Sequence, residues 1–139
     1  MSAVIAVVGR QGVGKSRLVG CMVANGAQQE VFIDTDSSQT MREQLKQIIS
    51  VGEQRDGVTV VEIPGYISIE VWYNLNWGAV VAVDCPDQVQ QRYMHSNEVQ
   101  NKHSREAYTQ VATDVFLNTV DTSHIDWVAK QLLRSYVIL

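Results

Sequence analysis

Gly9-Arg10-Gln11-Gly12-Val13-Gly14-Lys15-Ser16 matches the phosphate-binding pattern G-x-x-x-x-G-K-[ST], and its flanks decide the fold. Before it, Ala3-Val4-Ile5-Ala6-Val7-Val8 is a short apolar run of the kind that makes a buried strand. After it, Lys15 to Ala24 reads as a helix, with Leu18, Val19, Met22 and Val23 at apolar positions and Gly26 near its end. The expected order is strand, glycine-rich turn, helix. Gly9, Gly12 and Gly14 let the backbone turn tightly and bring its N–H groups onto a polyphosphate. The helix N-terminus adds a partial positive charge. In such a loop Lys15 reaches the β- and γ-phosphates and the Ser16 hydroxyl ligates Mg²⁺. Gly9 to Ser16, Gln11 and Val13 included, are therefore the expected nucleotide-binding residues, and Arg10 and Arg17 are placed to touch phosphate or base.

Strands and helices then alternate. Val31-Phe32-Ile33 reads as a second strand ending in Asp34-Thr35-Asp36, followed by a helix with Met41, Leu45, Ile48 and Ile49 on one face. Thr40 with Glu43 forms a capping box for that helix, or Ser37 or Ser38 caps it. Gly57 to Ile63 is a third strand ended by Pro64-Gly65, and Tyr66 to Trp77 is either helix or loop. Ala79 to Val83 is a fourth strand, followed by Asp84-Cys85-Pro86 and a helix from near Asp87. The spacing of Ala107, Val111 and Val115 predicts a helix over Ser104 to Phe116, with Thr119-Val120-Asp121 as a fifth strand. Ile125 to Leu133 is a closing helix, and Tyr136 to Leu139 adds an edge strand or packs on the core. Near-continuous apolar strands alternating with helices imply one α/β domain, a mostly parallel five-stranded sheet covered on both faces. Ligands then bind beyond the carboxyl ends of the strands, where the glycine loop, Asp34, Asp36, Glu62 and Asp84 converge.

The acids at those ends have two readings each. Asp34 and Asp36 either take the proton of an acceptor hydroxyl and hold Mg²⁺, or they cap the next helix. Asp84 ends a hydrophobic strand as a metal-holding aspartate does, or is a turn residue before Pro86. Glu62 faces the site or pairs with a basic side chain. Among the cations, Arg92, Lys102 and Arg105 either close over a transferring phosphoryl group or are solvated, and Arg42 meets an acceptor or lies on a solvated helix face. Tyr66, Trp72, Tyr73 and Trp77 either stack on an acceptor base or form core. His95, His103 and His124 lack metal spacing, and Cys21 and Cys85 read as reduced packing residues.

Composition sets the remaining bounds. With 139 residues, 45% hydrophobic and 19% charged, the chain has the make-up of one globular domain. Its apolar runs are too short to span a membrane, and the first strand starts too early for a signal peptide, so the expectation is a cytoplasmic protein without a membrane partner. The net charge of −4 and the lack of a Lys/Arg run leave no footprint of strong nonspecific nucleic-acid binding.

With these motifs in place, the chain resembles the P-loop nucleoside and nucleotide kinases, a group that includes thymidylate, dephospho-CoA and shikimate kinases. Phe32-Ile33-Asp34-Thr35-Asp36 is similar to the acidic motif after strand two of shikimate kinase. Val81-Ala82-Val83-Asp84-Cys85-Pro86, followed by a helix with Arg92, looks like the fourth strand and lid entry of dephospho-CoA kinase. Val120-Asp121-Thr122-Ser123 before an apolar helix looks like the last strand and helix of the group. The glycine-rich acceptor motif of shikimate kinase is absent, and Pro64-Gly65 stands there instead. The resemblance implies ATP and Mg²⁺ as cofactors, with Lys15 and Ser16 contacting them. It implies Asp34 or Asp36 as the base, Ser16, Asp34 and Asp84 around the metal, and Arg92 and Arg105 as lid arginines. Its implied activity is transfer of a γ-phosphoryl group to a hydroxyl of a nucleotide-type acceptor, free or within DNA. The compact acceptor region resembles small phage kinases acting on hydroxymethyluracil in DNA, which would place the chain in a host cytoplasm. The alternatives are a monophosphate or dephospho-CoA kinase and a non-catalytic nucleotide-binding regulator. GTPases, which want a D-x-x-G switch and an N-K-x-D base reader, are set aside at this point, because Asn101-Lys102-His103-Ser104 lacks the aspartate and does not end a hydrophobic strand.

Overall fold

The protein is seen here as a computed structural model that describes residues 2–10, 13–64, 67–85, 108, 110–117 and 122–136. Strand β1 (Ser2–Val8) leads through the glycine loop into α1 (Lys15–Ala24). Then come β2 (Gln28–Glu30), α2 (Ser38–Glu53), β3 (Gly57–Glu62), the single turn α3 (Ile69–Trp72), β4 (Ala79–Asp84), β5 (Asp114–Leu117) and α4 (Thr122–Tyr136). The five strands lie in the order β2-β3-β1-β4-β5 and every neighbouring pair is parallel. All carboxyl ends therefore share one edge of the sheet, the edge that carries the glycine loop.

Central strand β1 shows why the sheet is covered on both faces. Ile5 and Val7 join a core with Leu18, Val19 and Met22 of α1 and Ile125 and Ala129 of α4. Val4, Ala6 and Val8 join the opposite core with Met41, Leu45, Ile48 and Ile49 of α2 and Val71 and Trp72 of α3. Side chains alternate along a strand, so an uninterrupted apolar run fills both layers. Val23 of α1, read as apolar-facing, is 39% exposed. Among the described residues no helix is long and apolar enough to cross a membrane.

Two expectations change. The second strand is Gln28–Glu30 rather than Val31–Ile33, and only Phe32 of the apolar triplet is buried. The Ile33 backbone instead meets the Gln44 side chain of α2, which accepts from its N–H at 3.0 Å and donates to its carbonyl at 2.8 Å. An amide side chain thus replaces a strand neighbour. The second change is the helix predicted over Ser104 to Phe116. Residues Asp114–Leu117 instead form β5, parallel to β4 with Val81 opposite Asp114 and Val83 opposite Phe116. The apolar run there serves a ladder rather than a helix face. Of the caps open for α2, Ser37 is the one formed: its Oγ accepts from the Thr40 N–H at 3.2 Å, in place of a Thr40–Glu43 box. Pro86, the helix expected near Asp87, residues 118–121 and the tail 137–139 lie outside the described residues.

Candidate nucleotide site

The loop after β1 is held by its own sequence. A Cβ on Gly9 would stand 2.4 Å from the Val83 carbonyl oxygen, so only glycine fits against the end of β4. Val13 is fully buried in the α1 core layer and pins the middle of the loop. Gly14 takes φ 101° at the N-cap of α1, a left-handed conformation that favours glycine. It offers no side-chain cap, and the first turn of α1 carries no acid. The helix thus starts with amides not claimed by a capping side chain and a positive dipole end, which suits an anion.

Two polar side chains stand at the start of α1. Lys15 is buried, and its Nζ donates to the Gly9 carbonyl at 2.8 Å. Burial lowers its pKa from 10.5 to about 8, an effect that the nearby Glu62 carboxylate partly offsets. The Ser16 hydroxyl donates to Oε1 of Glu62 at 2.7 Å. Glu62 stands at the carboxyl end of β3, in register with Val7 of β1. A hydroxyl beside one carboxylate is a donor set that fits Mg²⁺, which takes few protein oxygens and completes its shell with water and phosphate.

The other strand-end acid has a different partner. Nη2 of Arg10 donates to Asp84 Oδ1 at 3.0 Å and to the Cys85 carbonyl at 2.8 Å. Asp34 and Asp36 are exposed in the segment between β2 and α2, on the same sheet edge. They are not the helix cap, which Ser37 supplies, while Thr35 Oγ1 accepts from the Ser37 N–H at 3.2 Å and braces the turn. A recess of about 190 Å³ opens beside Glu62, lined also by Gln29, Glu30, Val31, Phe32 and Pro64.

Arg17 is exposed on α1. Arg42 is half-buried: Nη1 donates to the Glu70 and Val71 carbonyls at 3.2 and 3.1 Å, tying α2 to α3. Of the aromatic residues, Trp72 is core, with its indole N–H donating to the Ile67 carbonyl at 3.1 Å, and it lies 5.6 Å from Trp77. Trp77 and the exposed Tyr73 line a second recess with Val80, near the start of β4 and so remote from Asp84 at its end. Gln11, Gly12, Tyr66, Arg92, His95, Lys102, His103 and Arg105 lie outside the described residues.

Sequence reading missed the pairing of Ser16 with Glu62 and of Arg10 with Asp84. It also missed a signal that was present. Glu62-Ile63-Pro64-Gly65 has the spacing of D-x-x-G with glutamate in first place, one methylene longer but still a carboxylate at a strand end.

Comparison with known proteins agrees with this geometry at the level of fold. Shikimate kinase from Acinetobacter baumannii, solved with shikimate, is similar with a TM-score of 0.66 at 14% identity, over 97% of this chain and 93% of that one. A sugar kinase from Janibacter sp. HTCC2649 gives 0.62 at 12% identity, over 100% of this chain and 99% of that one. A de novo designed P-loop fold protein gives 0.50 at 16% identity, over 99% and 95%. No curated protein matches the sequence. The family model described as 50S ribosome-binding GTPase matches residues 4–138. That match overturns the setting aside of GTPases for want of a base-reading motif. An α/β P-loop protein by fold, the chain belongs to the 50S ribosome-binding GTPase family.

Proposed function

We propose that this chain binds a nucleoside triphosphate with Mg²⁺ in the Gly9–Ser16 loop and transfers its γ-phosphoryl group to a hydroxyl acceptor. The observation that carries this reading is the corner formed by Lys15 and the Ser16–Glu62 pair at the start of α1. Lys15 leaves the Gly9 carbonyl for the phosphate oxygens, and the amides that open α1 face the same anion. Ser16, with Glu62 behind it, would hold the metal, which neutralises charge developing on the β- and γ-oxygens. The acceptor enters the recess beside Glu62. Its hydroxyl oxygen bonds to the γ-phosphorus as the bond to the bridging β–γ oxygen breaks. The nucleoside diphosphate leaves, and the hydroxyl proton passes to Asp34 or Asp36. Similarity to two small-molecule kinases over nearly the whole chain supports transfer to an organic hydroxyl. ATP is the donor in this reading.

A second reading is GTP hydrolysis, with water as acceptor. The family match and the Glu62-x-x-Gly65 spacing favour it. Incubation with γ-labelled ATP or GTP separates the two. The acceptors to include are sugars, shikimate, nucleosides, monophosphates, dephospho-CoA and DNA with hydroxymethylated pyrimidines. Label on an organic acceptor upholds the kinase reading, and label released only as inorganic phosphate transfers the assignment to hydrolysis. Nucleotide binding with no release leaves a regulatory protein, and no binding refutes all three.

A further inference from the structure

Arg10 holds the second position of the phosphate loop, where the pattern fixes no residue. A cation there reads first as a phosphate contact, yet the structure turns it the other way. Its buried guanidinium meets the carboxylate of Asp84 and the carbonyl of Cys85, both at the end of β4. Gly9 packs against the same strand end, where a Cβ would strike the Val83 carbonyl. The entry of the loop is therefore fastened to Val83-Asp84-Cys85 by a close backbone approach and by charge-assisted hydrogen bonds. A planar guanidinium suits that task, because it presents several donors in a fixed plane, which an ammonium group does not.

We infer that Arg10 is a positioning residue of the nucleotide site, an inference that rests on the Gly9–Ser16 loop binding Mg²⁺·nucleotide. It bolts the loop to β4 so that the phosphate-facing amides are in place before the anion arrives. An anion site gains affinity when its donors need no reordering on binding. Asp84 serves as the counter-ion of Arg10, and Glu62 is left as the strand-end acid that serves the metal. Arg10 itself makes no contact with the nucleotide.

The test is a double-mutant cycle read by fluorescent ATP and GTP analogues, with Mg²⁺ titrated separately and folding checked by urea denaturation. Arg10→Met and Asp84→Asn should each weaken Mg²⁺·nucleotide binding about tenfold or more, and the double variant should be no weaker than the worse single one. The Mg²⁺ midpoint should stay at the wild-type value in Asp84→Asn and move in Glu62→Gln. Losses that multiply in the double variant overturn the inference, because the two residues would then act separately. So does a shifted Mg²⁺ midpoint in Asp84→Asn, which would make Asp84 a metal residue. A loss in Arg10→Met confined to triphosphate and sparing diphosphate also overturns it, because that is the mark of a direct γ-phosphate contact. If Arg10→Met does not fold, Arg10→Lys replaces it: weakened binding upholds the inference and wild-type affinity overturns it. Failure of the wild-type protein to bind nucleotide refutes the underlying site, whereas wild-type binding with unaffected variants refutes this inference alone.

Discussion

The Ser16 hydroxyl donates to the Glu62 carboxylate at 2.7 Å, although 46 residues separate the two in sequence. The contact follows from the sheet. Strands β1 and β3 are parallel neighbours with Val7 opposite Glu62, so the last residue of β3 arrives beside the loop that β1 feeds. The register alone delivers a carboxylate to the hydroxyl that the sequence pattern assigns to Mg²⁺.

Replacing Glu62 by Gln keeps the side-chain length and removes the charge. Partners behind a metal ligand typically carry a 10- to 100-fold share of metal affinity or activity, so the Mg²⁺ needed for half-maximal phosphoryl release should rise by about that factor. Nucleotide affinity without metal should change little. A Mg²⁺ titration of the variant checks this, and an unchanged midpoint removes Glu62 from the site.

Lys15 gives a pH dependence of definite sign. Its pKa is about 8 in the folded protein against 10.5 for the free side chain. Below pH 8 both states hold the proton, and the folded state bears the cost of a buried charge. Between about 8 and 10.5 the unfolded chain binds more protons, so stability rises with pH across that window. The cost relieved is on the order of 3 kcal/mol. Lys15→Met should therefore be more stable than the wild type at pH 7, lose the rise above pH 8 and bind no triphosphate. Urea denaturation at pH 7 and pH 10 measures the first two effects. Nucleotide affinity of the wild type should fall above about pH 8, because the phosphates need the protonated amine, and calorimetry in buffers of different ionisation heat should show proton uptake there.

Much of this site was legible because its signals are local. The run Ala3 to Val8, the loop and the Leu18, Val19, Met22 stripe fall within one βα unit, and α1 begins and ends where its sequence predicts. The Met41, Leu45, Ile48, Ile49 face of α2 is buried as its spacing implies. The misreadings come from non-local partners. Val31-Phe32-Ile33 has strand composition, yet it runs past the end of edge strand β2 and takes its hydrogen bonds from Gln44 of the next helix. The ladder formed by β5 is set by β4, not by the period of Ala107, Val111 and Val115. Arg10 and Asp84 are 74 residues apart, and no local pattern announces their pairing.

Gly9→Ala tests the seat of the loop. The added methyl group would meet a backbone oxygen at 2.4 Å, and a backbone strand end has little room to yield. The expected loss is about 2 kcal/mol or more, within the range of overpacked sites. Because Val83, Asp84 and Cys85 would be pushed together, nucleotide affinity should fall with stability. Chemical denaturation and nucleotide titration on the same preparation check both, and a variant as stable as the wild type shows that the loop does not sit against β4.

Variants of Asp34 and Asp36 test the proposed transfer against hydrolysis. Both are exposed on the sheet edge that carries the loop, and Ser37 relieves them of the capping role. An acid that accepts the acceptor's proton acts only in the chemical step, and general bases typically contribute 10²- to 10⁴-fold. Asp36→Asn or Asp34→Asn, whichever removes the base, should lower kcat for transfer by about that factor, with nucleotide affinity unchanged. The double variant should be no worse than the more affected single one if one residue is the base. Single-turnover assays with labelled nucleotide and saturating acceptor measure the chemical step directly. Full transfer in the double variant removes both acids from the mechanism. An undiminished release of inorganic phosphate beside a lost transfer would mean that the pair serves the organic acceptor alone, while water attacks without them.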